Sequence, residues 1–181
     1  KLYRYLAYKI IRNKYNYNDK FIKKKSQSIN IKKLSNKNLY LPEVTKLSSA
    51  IAKKKYIRNN LKKFQTDFIK KNPKVIIEGR DIASKIMPNA DLKIFFKCSL
   101  DEKAKRRLKE FKKLNNKIKL KDVKEALKIR DFSDKNRKES PLLFTKGAVL
   151  VDTTKLNLSQ MRLKLIKIVK KEINKKKYGS L

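Results

Sequence analysis

The 181-residue chain has no histidine and no tryptophan, one cysteine and three glycines. Without histidine there is no Ser-His-Asp triad and no His-ligated zinc site. Cys98 alone excludes a CxxC motif and a disulfide framework. Gly79, Gly147 and Gly179 lie too far apart for either GxGxxG or GxxxxGK, so no Gly-rich phosphate loop exists within these residues. No stretch approaches the ~18 apolar residues of a membrane span, and no secretory signal is visible. A cytoplasmic protein with no membrane partner and no metal ligands is expected, and one free thiol agrees with that compartment.

Carboxylates are also scarce. Lys and Arg number 52 against 16 Asp and Glu, a formal charge of +36. A basic nucleic-acid-binding α/β module is the direct reading of such a charge. Against it, the cations are 43 Lys and only nine Arg, and they are spread over nearly every helix. Together with 15 Asn and 18 Ile, the pattern is that of compositional drift, and no dedicated nucleic-acid partner is expected. The drift makes arginine informative. A retained guanidinium marks a position where a planar, bidentate fork is needed for phosphate or carboxylate.

The apolar spacing predicts helices over residues 1–13, over one long stretch from Pro42 to Asn72-Pro73, over residues 99–113 and 121–132, and from Asn157 to about Lys171. Ser99 with Glu102, and Asn157 with Gln160, read as capping boxes. The last residues read as a frayed basic tail. Residues 14–40 are polar and without period, a short hairpin or a mobile insert. Three short apolar runs, at 74–78, 91–97 and 148–152, alternate with helices. That order signals an α/β fold with a buried parallel sheet flanked by helices on both faces.

Three clusters carry candidate chemistry. Glu78-Gly79-Arg80-Asp81 follows the first apolar run, and ligands in open α/β sheets bind beyond the carboxyl ends of strands. Gly79 permits a turn and a close approach there. Arg130, Asp134 and Arg137, at i, i+4 and i+7, fall on one helix face, as an ion-pair ladder or as an anion site. Arg106-Arg107 is a solvated pair unless it can close over a phosphate donor.

In order and spacing, the segments EGRD, PNADLKIFF, IRDFSDKNRKESPL and VDTT, together with LYR at the start, resemble the bacterial cytidylate kinase family. The resemblance runs over essentially the whole chain and is weakest over 14–40. It implies a P-loop kinase-type parallel sheet, with a small inserted acceptor-nucleotide subdomain (14–70) and a lid with flanking helices (99–140), in one domain over 1–181. It implies transfer of the γ-phosphate of ATP to CMP or dCMP with Mg²⁺, by a monomer. Carried over by motif, Arg4, Arg80 and Arg137 are acceptor-phosphate ligands. Ser49, Arg58 and Asp81 face the cytosine ring, and Arg130 with Asp134 faces the sugar hydroxyls. Arg106 and Arg107 fall where lid arginines meet the ATP phosphates, so Arg80, Arg137, Arg106 and Arg107 are the arginines expected at the transferred group.

The departure from the family is the phosphate loop. The strand-GxxxxGK-helix segment would precede LYR, and the chain opens at Lys1 with a helical pattern already under way. The expectation is an N-terminally truncated fragment, inactive on its own, lacking the first strand of the sheet and its donor-binding loop.

Overall fold

The computed structural model describes residues 1–112 and 118–179. The chain divides into two compact units, Lys1–Ile82 with Arg137–Pro141, and Ala83–Asn136 with Leu142–Leu181.

The first unit is helical. Its centre is α1 (Leu2–Arg12), which buries Tyr5, Leu6, Ala7 and Ile10 along one stripe. That stripe meets Ile22 of α2 (Asp19–Gln27), Val44 and Ile51 of α3 (Pro42–Ile51), and Ile57 and Leu61 of α4 (Lys55–Lys71). Leu6, Ile10, Ile22, Val44, Ile57 and Leu61 are wholly buried. At about 1.5–3 kcal/mol for each aliphatic side chain removed from water, this cluster dominates the unit's stability.

Residues 14–40 correct the expectation of a hairpin. They form α2, which packs on α4 and α1, and two 3-10 turns, Ile31–Ser35 and Lys37–Tyr40, the second of which packs on α1 and α3. Each piece is opened by an asparagine. The side chains of Asn18, Asn30 and Asn36 accept from the backbone N–H of Phe21, Lys32 and Asn38, each at 2.9 Å. Asparagine is among the best N-cap residues because its amide oxygen satisfies one of the donors a helix start leaves open. Lack of apolar period is what short capped turns produce, so a segment read as featureless is ordered by its caps.

The long helix expected from 42 to 72 is two helices. Pro42 opens α3 as anticipated. The chain then leaves helical geometry over 52–54 and restarts at Lys55. The Lys-rich sequence there has ordinary helix propensity, and tertiary packing overrides it.

The second unit holds the sheet, a parallel pair of β1 (Lys93–Lys97) and β2 (Ala148–Asp152) in the register Lys93–Ala148 through Lys97–Asp152. The third expected strand, 74–78, belongs to no ladder. A strand exists by pairing its N–H and C=O groups with a neighbour, and among the described residues none lies beside this one. The sheet is also not covered on both faces: Phe96 and Leu150 are half exposed. Two strands bury too little to be the two-sided core that three apolar runs suggested.

Helix α5 (Leu100–Lys112) pairs with α6 (Leu120–Asn136) around Ala104, Phe111 and Val123. Ser99 Oγ accepts from the Glu102 N–H at 3.3 Å, as its capping position requires. The expected end of that helix at 113, and lid residues 113–117, lie outside the described residues. Helix α7 (Leu158–Tyr178) opens with the full reciprocal box between Asn157 and Gln160. It runs well past Lys171, so most of the expected frayed tail is helix; residues 180 and 181 lie outside the described residues. No helix among the described residues is long and apolar enough to cross a membrane.

Leu6→Ala is expected to destabilise the chain by about 3 kcal/mol, the transfer and cavity cost of a fully packed leucine. Leu163→Ala on α7, at a side chain 61 % exposed, is expected to stay within about 0.5 kcal/mol of the parent. Urea unfolding of the two variants checks the difference.

Candidate functional site

The site in the first unit is built on the break between α3 and α4. In an unbroken helix the Ala52 carbonyl would accept from an N–H four residues on. Ending α3 at Ile51 leaves that carbonyl open. Arg58, in the first turn of α4, returns to fill it, its Nη1 donating to Ala52 O at 2.8 Å. The same guanidinium donates through Nη2 to Asp81 Oδ2 and through Nε to Ser140 Oγ at 3.2 Å. Its plane lies over the Tyr3 ring, 5.4 Å from the centroid. All three guanidinium nitrogens are therefore engaged, on partners from three separate segments.

Arg58 and Asp81 are 6 % and 8 % exposed. A buried ion pair is a poor source of net stability, because two charges must leave water. Removing one partner is costly, because it strands the other. Pairing and extra hydrogen bonds thus make the burial tolerable and fix both side chains in place.

Gly79 contributes differently from the turn-forming role its sequence context suggested. A Cβ there would stand 2.7 Å from Ile82 Cγ1. The glycine makes room for Ile82, which opens the short π turn Ile82–Ile86 directly after Asp81. The close packing of Ile82 on Gly79 brackets Asp81 in the chain.

The other expected residues distribute as follows. Arg137 donates from Nε to Ser140 O at 2.7 Å, so Ser140 touches both Arg58 and Arg137. Arg4 follows Tyr3 on α1, its guanidinium 4.8 Å from the Tyr40 ring centroid. Ser49 is half-buried on α3, and Arg80 is exposed beside Asp81 in the chain. Structure therefore gathers Arg58, Asp81 and Arg137 with two residues that spacing did not single out, Tyr3 and Ser140. Tyr3 lies inside the LYR segment and Ser140 inside SPL. Neither is of a type that announces chemistry on its own.

Arg130, Asp134 and Arg137 do not share a helix face, contrary to expectation. α6 ends at Asn136, whose side-chain Nδ2 donates to the Phe132 carbonyl at 2.8 Å. Arg137 therefore lies beyond the helix and in the first unit. Arg130 and Asp134 remain on α6 in the second unit, Nε to Oδ2 at 3.9 Å, with Asp134 buried.

Arg106 has a structural task. Nη2 donates to the carbonyls of Thr153 and Leu156 at 2.7 and 3.0 Å, Nη1 reaches Thr153 Oγ1, and Nε pairs with Glu102 at 2.8 Å. It fastens the turn after β2 to α5. The same turn is held to β1 by Thr153, whose N–H and Oγ1 both donate to Lys97 O. Arg107 pairs with Glu110 at 2.6 Å and stacks on Phe111.

Burial pushes the Tyr3 phenol up to about 12, against the opposing pull of Arg58; Asp81 adds to the rise and Arg137 to the pull. The folded chain therefore holds this proton where the unfolded chain, titrating near 10, has lost it. Stability from this group is intact below pH 10 and falls as pH rises from 10 towards 12, by about 3 kcal/mol at 1.36 kcal/mol per unit. Burial also raises the phenols of Tyr5 and Tyr56; tyrosinate absorbance is expected to show a component ionising at about 12, and Tyr3→Phe to remove that component. Separately, Asp81→Ala is expected to cost about 3–5 kcal/mol by leaving Arg58 buried without its counter-charge. The double variant Arg58→Met, Asp81→Leu should cost less than the sum of its parts; denaturant titration of all three reads this.

The family model for cytidylate kinase matches residues 1–171. The chain is 35 % identical over 144 residues to the cytidylate kinase of Thermosipho melanesiensis, covering 80 % of this chain and 65 % of that protein. It is 40 % identical over 116 residues to that of Phytoplasma mali, covering 64 % and 50 %. The cytidylate kinase of Fusobacterium nucleatum aligns over 188 residues at 35 % identity, covering 97 % and 84 %. Against the first two, the chain spans half to two-thirds of the relative's length. With all but the last ten of its residues inside one family's pattern, the chain belongs to the cytidylate kinase family.

Proposed function

We propose that the chain carries the acceptor site of a (d)CMP kinase, the enzyme that moves the γ-phosphate of ATP to CMP or dCMP. The supporting observation is the buried Arg58–Asp81 pair, with Arg137 tied to it through Ser140. Cytosine presents an exocyclic amine that donates, beside a ring nitrogen and a carbonyl that accept. Asp81 is an acceptor for the amine, and Arg58 and Ser49 are donors for the other two. A uracil or purine monophosphate would leave one of these buried groups without its complement, a penalty that discriminates more strongly than shape alone.

Arg4, Arg80 and Arg137 are the proposed ligands of the acceptor phosphate. Phosphoryl transfer asks little covalent work of a protein and much positioning and neutralisation of charge. Guanidinium forks suit that task, and the absence of histidine is no obstacle to it. Arg130 with Asp134 is the proposed contact to the sugar hydroxyls, and Arg106 with Arg107 to the ATP phosphates. The base and phosphate reading stands on the first unit alone. Arg106 is the weakest member of the set, because its hydrogen bonds to the 153–156 turn would have to open first.

No group of three acidic or cysteine side chains able to hold a metal ion occurs among the described residues. These residues therefore do not themselves fit a resident Mg²⁺, and no step is assigned through it. No GxxxxGK segment occurs in the 181 residues, and no step is assigned through one. Within the proposal, the chain binds the acceptor nucleotide.

Calorimetric titration of the chain with CMP, UMP and AMP, at low and high salt, tests the reading. CMP is expected to bind more than about tenfold more tightly than the other two, with the preference surviving added salt and disappearing in Asp81→Ala. Binding that is indifferent to the base and falls steeply with salt is the signature of counter-ion release on a basic surface, and it overturns the proposal in favour of a nucleic-acid-binding module.

A further inference from the structure

We propose that Ser140 is a positioning residue that couples recognition of the base to the grip on the phosphate. The inference rests on the acceptor-site reading above and goes beyond it, since neither the motif nor the spacing assigns this serine a role. One residue serves two arginines. Its hydroxyl accepts from Arg58 Nε at 3.2 Å, and its backbone carbonyl accepts from Arg137 Nε at 2.7 Å. Arg58 is the base-side guanidinium and Arg137 the phosphate-side one. A displacement of either is therefore felt by the other through one residue.

The backbone supports this reading independently. Ser140 sits at φ 52, in the left-handed region. Side chains with a Cβ rarely occupy it, and glycine does so without penalty. The next residue is Pro141, and a residue ahead of proline favours extended geometry. A non-glycine residue kept in a sparsely populated conformation is held there by its surroundings, and such positions cluster at binding sites. Glycine would relieve the conformation but would forfeit the hydroxyl that Arg58 uses. Within the proposal, this left-handed turn is retained because it lets the hydroxyl and the carbonyl of the same residue be used at once.

The test compares Ser140→Ala and Ser140→Gly with the parent chain. Calorimetric affinities for CMP, UMP and ribose 5-phosphate are measured beside the melting temperature of each variant. Ribose 5-phosphate reports the phosphate side without the base. Both variants lack the hydroxyl, and only glycine also relaxes the backbone. Loss of a hydrogen bond to a charged group is expected to weaken CMP about tenfold in both variants. Selectivity over UMP should narrow, while ribose 5-phosphate binding stays near the parent value because the carbonyl still holds Arg137. In an Arg58→Lys background, Ser140→Ala should have little further effect on CMP.

If the parent chain does not prefer CMP, the acceptor-site reading itself fails, and that is seen before any variant is made. If the parent is selective and both variants remain so, the role of Ser140 is overturned. Equal losses for all three ligands in Ser140→Ala, restored by Ser140→Gly, would show that only the backbone matters and would likewise overturn it.

Discussion

A guanidinium removed from water dictates the architecture of the first unit. Arg58 is buried with one counter-charge, and a cation in that position is tolerable only when its donors are met in good geometry. The fold meets them from three directions. The break between α3 and α4 supplies the Ala52 carbonyl, the segment after Gly79 supplies Asp81, and the strained turn ahead of Pro141 supplies the Ser140 hydroxyl. Each of these local irregularities would be unexplained alone. Together they are the coordination shell of a single side chain.

Rigidity follows from the same constraint. Arg58, unlike a surface lysine, cannot exchange one partner for water without leaving a buried donor unmet. The Arg58–Asp81 pair is therefore ordered before any ligand arrives. In the proposed acceptor site, side chains already ordered forgo the reorganisation that flexible ones would require on binding. The helical core on α1 contributes by fixing Tyr3 beneath the guanidinium, one residue before Arg4.

What could be read from the residues alone divides along physical lines. Helices with an apolar stripe or a start signal were legible: α1 by its stripe, α3 by Pro42 in its first turn, α5 by Ser99, and α7 by its Asn157–Gln160 box. The two strands that pair with each other were legible as β-branched and aromatic runs. The break at 52–54 was not, because nothing in Lys53-Lys54-Lys55 opposes a helix; the break is explained by a partner 82 residues on and another 23 residues on, at Ser140 and Asp81. Order over 14–40 was hidden for the opposite reason. Asparagine looked like compositional drift, yet Asn18, Asn30 and Asn36 each sit at an N-cap, where that residue is preferred. In the candidate site, Arg58, Asp81 and Arg137 were legible from motif wording. Tyr3 and Ser140 were not, since a phenol and a hydroxyl acquire meaning only from what folding brings beside them.

The contrast between lysine and arginine shows how far such reasoning reaches. Lysines in the described ion pairs, such as Lys124 with Asp101 and Lys63 with Asp67, meet one carboxylate each through one nitrogen at the surface. Arg58 and Arg106 each use three nitrogens, on acceptors from different segments. No lysine can replace that, so a chain rich in lysine keeps arginine where a planar fork is needed. The criterion identifies the need for a fork and says nothing of what the fork holds. At Arg106 it holds the turn after β2, a task of assembly. At Arg58 it holds the buried carboxylate of Asp81 from a separate segment, the pair to which the proposed function gives the cytosine edge. Telling the two apart takes the partners rather than the residue type: Arg106 is closed on the turn after β2 and on Glu102 of its own helix, whereas Arg58 is closed on a buried carboxylate from a separate segment as well as on the Ala52 carbonyl and the Ser140 hydroxyl.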